Sequence, residues 1–120
     1  MKIFEAVKKA DLEILERIIK QKTDVVNMVN IHGRTPIHYA ALNGDLEVVK
    51  LLLKYNANVN PDDNGGYSPL YYAATYGHLE VVKHIVNQGA NVNQINNRGN
   101  SPMHDALLKG HVSVVLHLPS

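Results

Sequence analysis

Cysteine and tryptophan are absent from this chain of 120 residues, and phenylalanine occurs once. Without cysteine there can be no disulfide framework, no thiolate metal site and no cysteine nucleophile, so side-chain packing alone must stabilise the fold. An absence of disulfides suits a reducing compartment. We therefore expect an intracellular, cytoplasmic protein.

Blocks of like charge and long apolar runs are also missing. Twelve Lys and Arg residues against eleven Asp and Glu residues give a net charge of +1, without the basic stripe that would favour a nucleic-acid partner. No run of about 18 apolar residues and no signal-peptide core occurs, so the sequence predicts no membrane partner. The length allows one domain or one short array.

A repeat of 33 residues organises the chain. The hexapeptide that begins at Gly33 recurs without gaps at Gly66 and Gly99. A heptapeptide that begins at Gly44 recurs twice more at the same spacing. Self-similarity at such a period is typical of repeat architectures. The predicted units span residues 1–29, 30–62, 63–95 and 96–120.

Each unit carries the signals for two short helices. A Thr-Pro or Ser-Pro pair is typical of a helix start, because the hydroxyl accepts a free backbone N–H and proline has none to leave unpaired. That helix runs to a glycine, which favours the left-handed C-cap conformation. A second, mostly apolar helix is predicted over Leu46–Lys54 and again over Leu79–Asn87. A stretch rich in Asn, Asp and Gly then predicts a turn or hairpin.

Helices this short are marginal on their own, because nucleation is costly. A row of helix pairs buries a continuous core that a single pair cannot. The predicted fold class is therefore an all-α repeat, a solenoid of stacked helix-turn-helix units joined by hairpin loops.

The first unit departs from the pattern. It lacks the Thr-Pro opening and has one extra residue within residues 23–30 relative to the later units. Its first helix carries Glu5, Lys8 and Lys9 where the next unit has uncharged residues. Terminal repeats need a polar outer face, so we interpret residues 1–29 as a diverged N-terminal capping repeat.

The last unit is predicted to be truncated, because Pro119 should break its second helix before the normal end. No polar cap replaces the missing turn. The unit could belong to a longer array, receive a partner at this end, or self-associate through it. The apolar residues expected to be exposed there are Leu107, Val112, Val115 and Leu118.

These motifs resemble those of the ankyrin-repeat family along essentially the whole chain. The family's opening motif, Thr-Pro-Leu-His followed by alanines, is similar to residues 35–41, and its second-helix motif is similar to residues 77–83. The resemblance implies a curved array that recognises a partner through its hairpin tips and the concave surface of its first helices. Tyr71 departs from the motif, so the loop contacts expected of His38 and His104 are not expected in the third unit.

Catalytic and metal-binding patterns are missing. The seven histidines recur at equivalent repeat positions, and helices about 8–10 Å apart hold equivalent rings too far apart for metal–nitrogen bonds of about 2 Å. The chain has no phosphate-binding glycine loop, His-Glu-x-x-His motif, nucleophile-elbow serine or Asp-rich calcium loop. We predict no catalytic residue, no metal site, no cofactor and no enzyme activity.

Four of the six tyrosines fall in the third unit. Tyr71 and Tyr72 are interpreted as packing between repeats, since Tyr39 is the equivalent of Tyr72. Tyr67, near the hairpin, and Tyr76, on the face that it shares with Tyr72, are interpreted as partner contacts, because tyrosine is enriched in binding hot spots.

Further candidates lie at the hairpin tips and on the first helices. Their mixture of apolar, aromatic and oppositely charged side chains resembles a protein-binding surface more than a phosphate-binding one. We therefore predict a non-enzymatic protein–protein interaction module, with a regulatory segment of a larger enzyme or channel as the alternative. The predicted partner-binding residues are Ile31, His32, Arg34, Leu42, Asn43, Tyr67, Thr75, Tyr76, Asn97, Arg98, Asn100, Leu108 and Lys109.

Overall fold

The computed structural model describes residues 2–118, which form eight α-helices in four consecutive pairs and contain no strand. A 3₁₀ turn, Thr23–Asn27, follows the first pair. The all-α repeat fold predicted from the sequence is confirmed. The helices are α1 (Ile3–Lys8), α2 (Leu12–Gln21), α3 (Pro36–Asn43), α4 (Leu46–Lys54), α5 (Pro69–Thr75), α6 (Leu79–Asn87), α7 (Pro102–Leu108) and α8 (Val112–His117).

The first helices of the later units begin where the Ser-Pro and Thr-Pro pairs predict. Ser68 and Ser101 precede α5 and α7, and each serine hydroxyl accepts the backbone N–H of the third helical residue, at 3.0 and 3.3 Å. A proline occupies the first turn of α3, α5 and α7. These helix starts are therefore set by residues adjacent in the sequence.

The two helices of each pair are joined by a residue in the left-handed region. Gly44 has φ of 72° and follows α3, as the repeat pattern predicted. In the first unit the corresponding residue is Ala10, with φ of 54°. A side chain in this region costs roughly 1–2 kcal/mol, so the capping unit keeps the tight turn without the residue best suited to it.

The helices stack in two layers. Contacts run along α1, α3, α5 and α7, and separately along α2, α4, α6 and α8. Paired alanines in α3 and α5 are fully buried, which lets neighbouring backbones approach closely. Between the layers lies one continuous core, whose fully buried side chains include Ile37, Leu52, Leu70 and Ile85.

The C-terminal end matches its prediction in part. Helix α8 has six residues against nine in α6, while Pro119, to which the early end was attributed, lies outside the described residues, so the truncation of this unit stays a prediction. Leu107 and Val112 are exposed and Val115 is half-buried. Leu118 was expected to be exposed, but it is only 6% exposed because it folds back onto the core, whereas Leu116 faces solvent. Self-association through this end stays a prediction.

Within residues 2–118, none of the helices is long and apolar enough to cross a bilayer. No group of three or more His, Asp or Glu side chains in that part of the chain is arranged to hold a metal ion.

Candidate protein-binding surface

Each hairpin is a tight turn held by one polar side chain at its base. The Asp63 carboxylate accepts the backbone N–H groups of Gly65 at 3.0 Å and of Tyr67 at 2.9 Å. Asn30 and Asn96, at the equivalent positions, accept the corresponding two amides of their own hairpins. This trio was not predicted from the sequence, although its members recur every 33 residues and each lies three positions before the hairpin glycine, Gly33, Gly66 or Gly99.

Neighbouring hairpins are also bonded to one another. The backbone N–H of Asn64 donates to the His32 carbonyl at 3.0 Å, and its side-chain amide donates to the Ile31 carbonyl at 3.1 Å. Asn97 repeats this arrangement on the third hairpin, with its side-chain amide donating to the Asn64 carbonyl at 3.0 Å. Asn97 was predicted as a partner contact, and in the structure it also joins two hairpins. The tips therefore keep a fixed spacing.

Arg34 links the second and third units. Its guanidinium carbon lies 5.8 Å from the ring centroid of Tyr39 and 5.6 Å from that of Tyr72. Its Nε donates to an Asp63 carboxylate oxygen at 3.4 Å, and the Tyr72 hydroxyl donates to the same oxygen at 2.5 Å. Cation–π contacts and a charge-assisted hydrogen bond thus hold a side chain that was predicted as a partner contact. Its role within the array leaves only part of it available to a partner.

The carboxyl group of Asp63 is ionised in the folded protein. Burial alone would raise the pKa of Asp63, but hydrogen bonds from Tyr72 and from the amides of Tyr67 and Gly65 hold that pKa below its usual value. Burial, together with the hydrogen bond to Asp63, raises the pKa of the Tyr72 hydroxyl. At neutral pH the shared proton therefore belongs to Tyr72, and Asp63 is an anion that faces Arg34.

His38 makes the loop contact that its motif position implies. Its Nδ1 accepts the backbone N–H of Thr35 at 2.9 Å, so the proton lies on Nε2, which donates to the Tyr67 carbonyl at 2.8 Å. Burial lowers the pKa of His38 and favours this neutral ring. Tyr71 makes no such bond and stacks instead on Tyr67, with ring centroids 4.6 Å apart. His104 is exposed.

His78 joins the α5–α6 turn to the preceding unit. Its Nε2 is 2.9 Å from the Leu42 carbonyl, and its ring lies over Gly44, where a Cβ atom would overlap it. The Leu42 side chain is half-buried. The histidine thus occupies space that exists because Gly44 has no side chain.

The thirteen predicted contact residues differ in how much surface they offer. Thr75 is only 5% exposed, so its side chain offers a partner almost nothing. Arg34, Leu42, Tyr67 and Asn100 are half-buried. The exposed candidates are Ile31, His32, Asn43, Tyr76, Asn97, Arg98, Leu108 and Lys109.

The exposed candidates at the C-terminal ends of the first helices form a row along the array. Asn43, Tyr76 and Lys109 occupy the same repeat position in successive units. The Lys109 ammonium lies 5.9 Å from the Tyr76 ring centroid, which places these two side chains in contact across the gap between units. Tyr76 is 52% exposed and Leu108 72% exposed, so the row combines apolar area with positive charge.

The opposite side of the array is different in character. A groove of about 540 Å³ runs between α2 and α4, and none of the thirteen predicted residues lines it. Its walls carry Glu13, Glu16 and Glu47 together with Lys50 and Lys54. Leu12 and Leu51 line the groove as well, so it combines apolar area with both signs of charge, whereas the predicted contact residues lie on the hairpin side.

Comparison with known proteins identifies the class. A family model described as ankyrin repeats (3 copies) matches residues 3–96 and residues 65–119. The chain therefore belongs to the ankyrin-repeat family, as its motifs predicted. Ankyrin repeats are a general protein-interaction fold rather than a catalytic one.

Several curated relatives match about half of the chain. A protein of fowlpox virus (strain NVSL) that carries an ankyrin-repeat name is 45% identical over 58 residues, which are 48% of this chain and 8% of that protein. The rat ankyrin repeat and SAM domain-containing protein 6 is 37% identical over 62 residues, 52% of this chain and 7% of that one.

A third relative is shorter. The human protein phosphatase 1 regulatory subunit 27 is 40% identical over 63 residues, 51% of this chain and 40% of that protein. The chain thus spans less than half the length of each of these three relatives.

Proposed function

We propose that this chain is a non-enzymatic module that binds another protein through its hairpin tips and the concave surface of its first helices. The observation that carries the proposal is the bonded row of hairpins. Because Asn64 and Asn97 tie each tip to the next, the exposed side chains are held at fixed spacing before a partner arrives. A preorganised surface loses less conformational entropy on binding.

The chemistry of the exposed candidates also favours a protein partner. Ile31 is 88% exposed at the tip of its hairpin, and Tyr76 and Leu108 add further apolar area on the first helices. Isolated apolar residues on a surface are ordinary, but several on one side of the array resemble the apolar centre of an interface. Arg98 and Lys109 supply a polar margin to it.

The test is affinity capture from cells of the source organism, followed by measurement of the dissociation constant for each captured protein. Replacing both Ile31 and Tyr76 by alanine should weaken binding by at least about tenfold, since aromatic and apolar anchors carry most of the energy of an interface. Neither side chain is buried, so circular dichroism and urea unfolding should remain close to wild type.

Glu47 and Glu80 provide the matched control, because both are exposed but lie on the second helices α4 and α6. Replacing them by alanine should leave partner affinity unchanged. A surface on the second-helix side would be indicated if the control variant lost binding and the Ile31 and Tyr76 variant did not.

Regulation of an enzyme is the second candidate. It is favoured by the printed name of one relative, protein phosphatase 1 regulatory subunit 27. On this proposal the captured partner is an enzyme, or the chain is a segment of one, and its activity changes when the chain occupies it. Capture of partners that are all non-enzymatic would count against it.

A further inference from the structure

The interfaces on either side of the third unit differ in their charged residues. Between the second and third units, Arg34 lies near two tyrosine rings and pairs with Asp63. At the equivalent positions 33 residues later, Tyr67 replaces Arg34 and Asn96 replaces Asp63. Asp105 replaces Tyr72. At these positions the interface between the third and fourth units therefore has aromatic rings and a carboxylate, with a tyrosine in place of the arginine.

Three side chains define a slot at this second interface, the tyrosine–aspartate slot of Tyr67, Tyr71 and Asp105. The rings of Tyr67 and Tyr71 are 4.6 Å apart and inclined at 39°. Asp105 occupies the repeat position of Tyr72, which lies beside His38 with ring centroids 5.9 Å apart, so its carboxylate is placed beside Tyr71 in the same way. All three side chains of the slot are half-buried. Within residues 2–118, Asp105 forms no ion pair.

Asp105 stands where the two preceding units have a tyrosine whose hydroxyl bonds to its own hairpin. In the second unit the Tyr39 hydroxyl reaches back to accept the side-chain amide of Asn30 at 2.7 Å. Asp105 is shorter than tyrosine by a ring and does not reach Asn96, whose buried Nδ2 is left without a hydrogen-bond partner.

Thr75, one helical turn beyond Tyr71, is only 5% exposed and offers a ligand no accessible atom. What a ligand can reach at the slot is therefore a carboxylate without an ion pair beside two tyrosine rings.

We propose that the tyrosine–aspartate slot receives an arginine side chain of the bound protein. The inference rests on the proposed binding function and specifies the chemistry that this part of the surface selects. A guanidinium stacks on tyrosine rings through its planar face, while its N–H groups donate to a carboxylate and a hydroxyl. Arg34 already shows the same chemistry one interface earlier, supplied from within the chain.

The direct test uses two small probes on the full, ¹⁵N-labelled chain. N-acetyl-arginine amide should shift the backbone resonances around Tyr71, Thr75 and Asp105 in a saturable titration. N-acetyl-citrulline amide has nearly the same shape without the charge and should bind about tenfold more weakly. Asp105→Asn should remove that preference, whereas the exposed Asp62→Asn should retain it. Equal binding of the two probes, no shift at the slot, or an unchanged preference in Asp105→Asn would each overturn the inference.

Selection of phage-displayed peptides separates this inference from the proposed function. Peptides that carry an arginine and lose binding to Asp105→Asn support both. Peptides that bind wild type and Asp105→Asn equally, or that use lysine instead of arginine, support a binding module and refute the arginine slot. If no peptide is enriched although the arginine probe still binds, the slot stands and the proposed function is weakened.

Discussion

At the scale of single residues, the contacts between units depend on glycines that leave room for a neighbouring side chain as well as on side chains that form hydrogen bonds. Gly44 and Gly110 occupy the same repeat position and have nearly the same φ, 72° and 77°. A Cβ atom added to Gly44 would overlap the His78 ring, whereas one added to Gly110 would meet nothing within 4 Å. The two positions therefore separate the backbone requirement for glycine from the steric one.

Replacing each of these glycines by alanine measures that difference. Gly110→Ala should lower the free energy of unfolding by about 1 kcal/mol, the cost of a side chain in the left-handed region. Gly44→Ala should cost about 2–3 kcal/mol, because the displaced His78 ring also loses its bond to the Leu42 carbonyl. Urea unfolding of both variants gives the values. Equal losses would mean that the His78 ring moves aside without cost.

At the scale of elements, the three hairpins are held by equivalent hydrogen bonds, but the side chain that accepts them differs in the second hairpin. Asn30 and Asn96 hold their turns with a neutral amide, while Asp63 does the same with a carboxylate that also faces Arg34 and Tyr72. An asparagine can therefore hold the turn, and the charge is required only for contact between units.

Asp63→Asn should keep the turn bonds and lose the charge-assisted ones, at a cost of about 1–2 kcal/mol at pH 7. Because the folded-state pKa of Asp63 is lowered, its contribution is present above the unfolded value of about 3.9 and is lost as pH falls through the folded value. The stability difference between wild type and variant should thus narrow below about pH 4 in urea titrations. Asp62→Asn, at an exposed neighbour, should show no such trend, and a difference constant down to pH 2 would contradict the assignment.

At the scale of the whole molecule, burial is distributed unevenly along the array. Helix α3 has neighbours on both sides and six buried residues. Helices α7 and α8 together have three, Pro102, Ala106 and Val114. In a solenoid each unit is stabilised by its own packing and by its neighbours, so the last unit should open most readily.

Native-state hydrogen exchange should therefore show a gradient. Amide protons of α3 should exchange only through opening of most of the array, while those of α7 and α8 should exchange on the order of tenfold faster or more through local opening. The comparison uses amides that are hydrogen-bonded in both places, such as Val115, which donates to the His111 carbonyl at 3.1 Å. Equal opening free energies in α3 and α8 would show that the array unfolds as one unit.

Sequence reasoning succeeded where the signals are local. Helices α4 and α6 have the predicted bounds, Leu46–Lys54 and Leu79–Asn87, because their start signals and turn residues lie within a few positions of each end. Sequence reasoning was less successful at predicting which side chains are exposed to a partner. Thr75 is buried and Arg34 is engaged within the array, since both depend on how one unit lies on the next.

The amino-acid sequence by itself determined the repeat, the helix pairs and the family, because caps, periodicity and turns act over roughly one helical turn or hairpin. Only the tertiary structure decided which side chains remain for a partner. The contacts that settle this join residues far apart in the chain, such as Arg34 with Asp63, or His38 with the Tyr67 carbonyl. Their geometry is set by the stacking of whole units, which brings some variable residues into the interfaces and leaves others, with Tyr76 among them, at the surface.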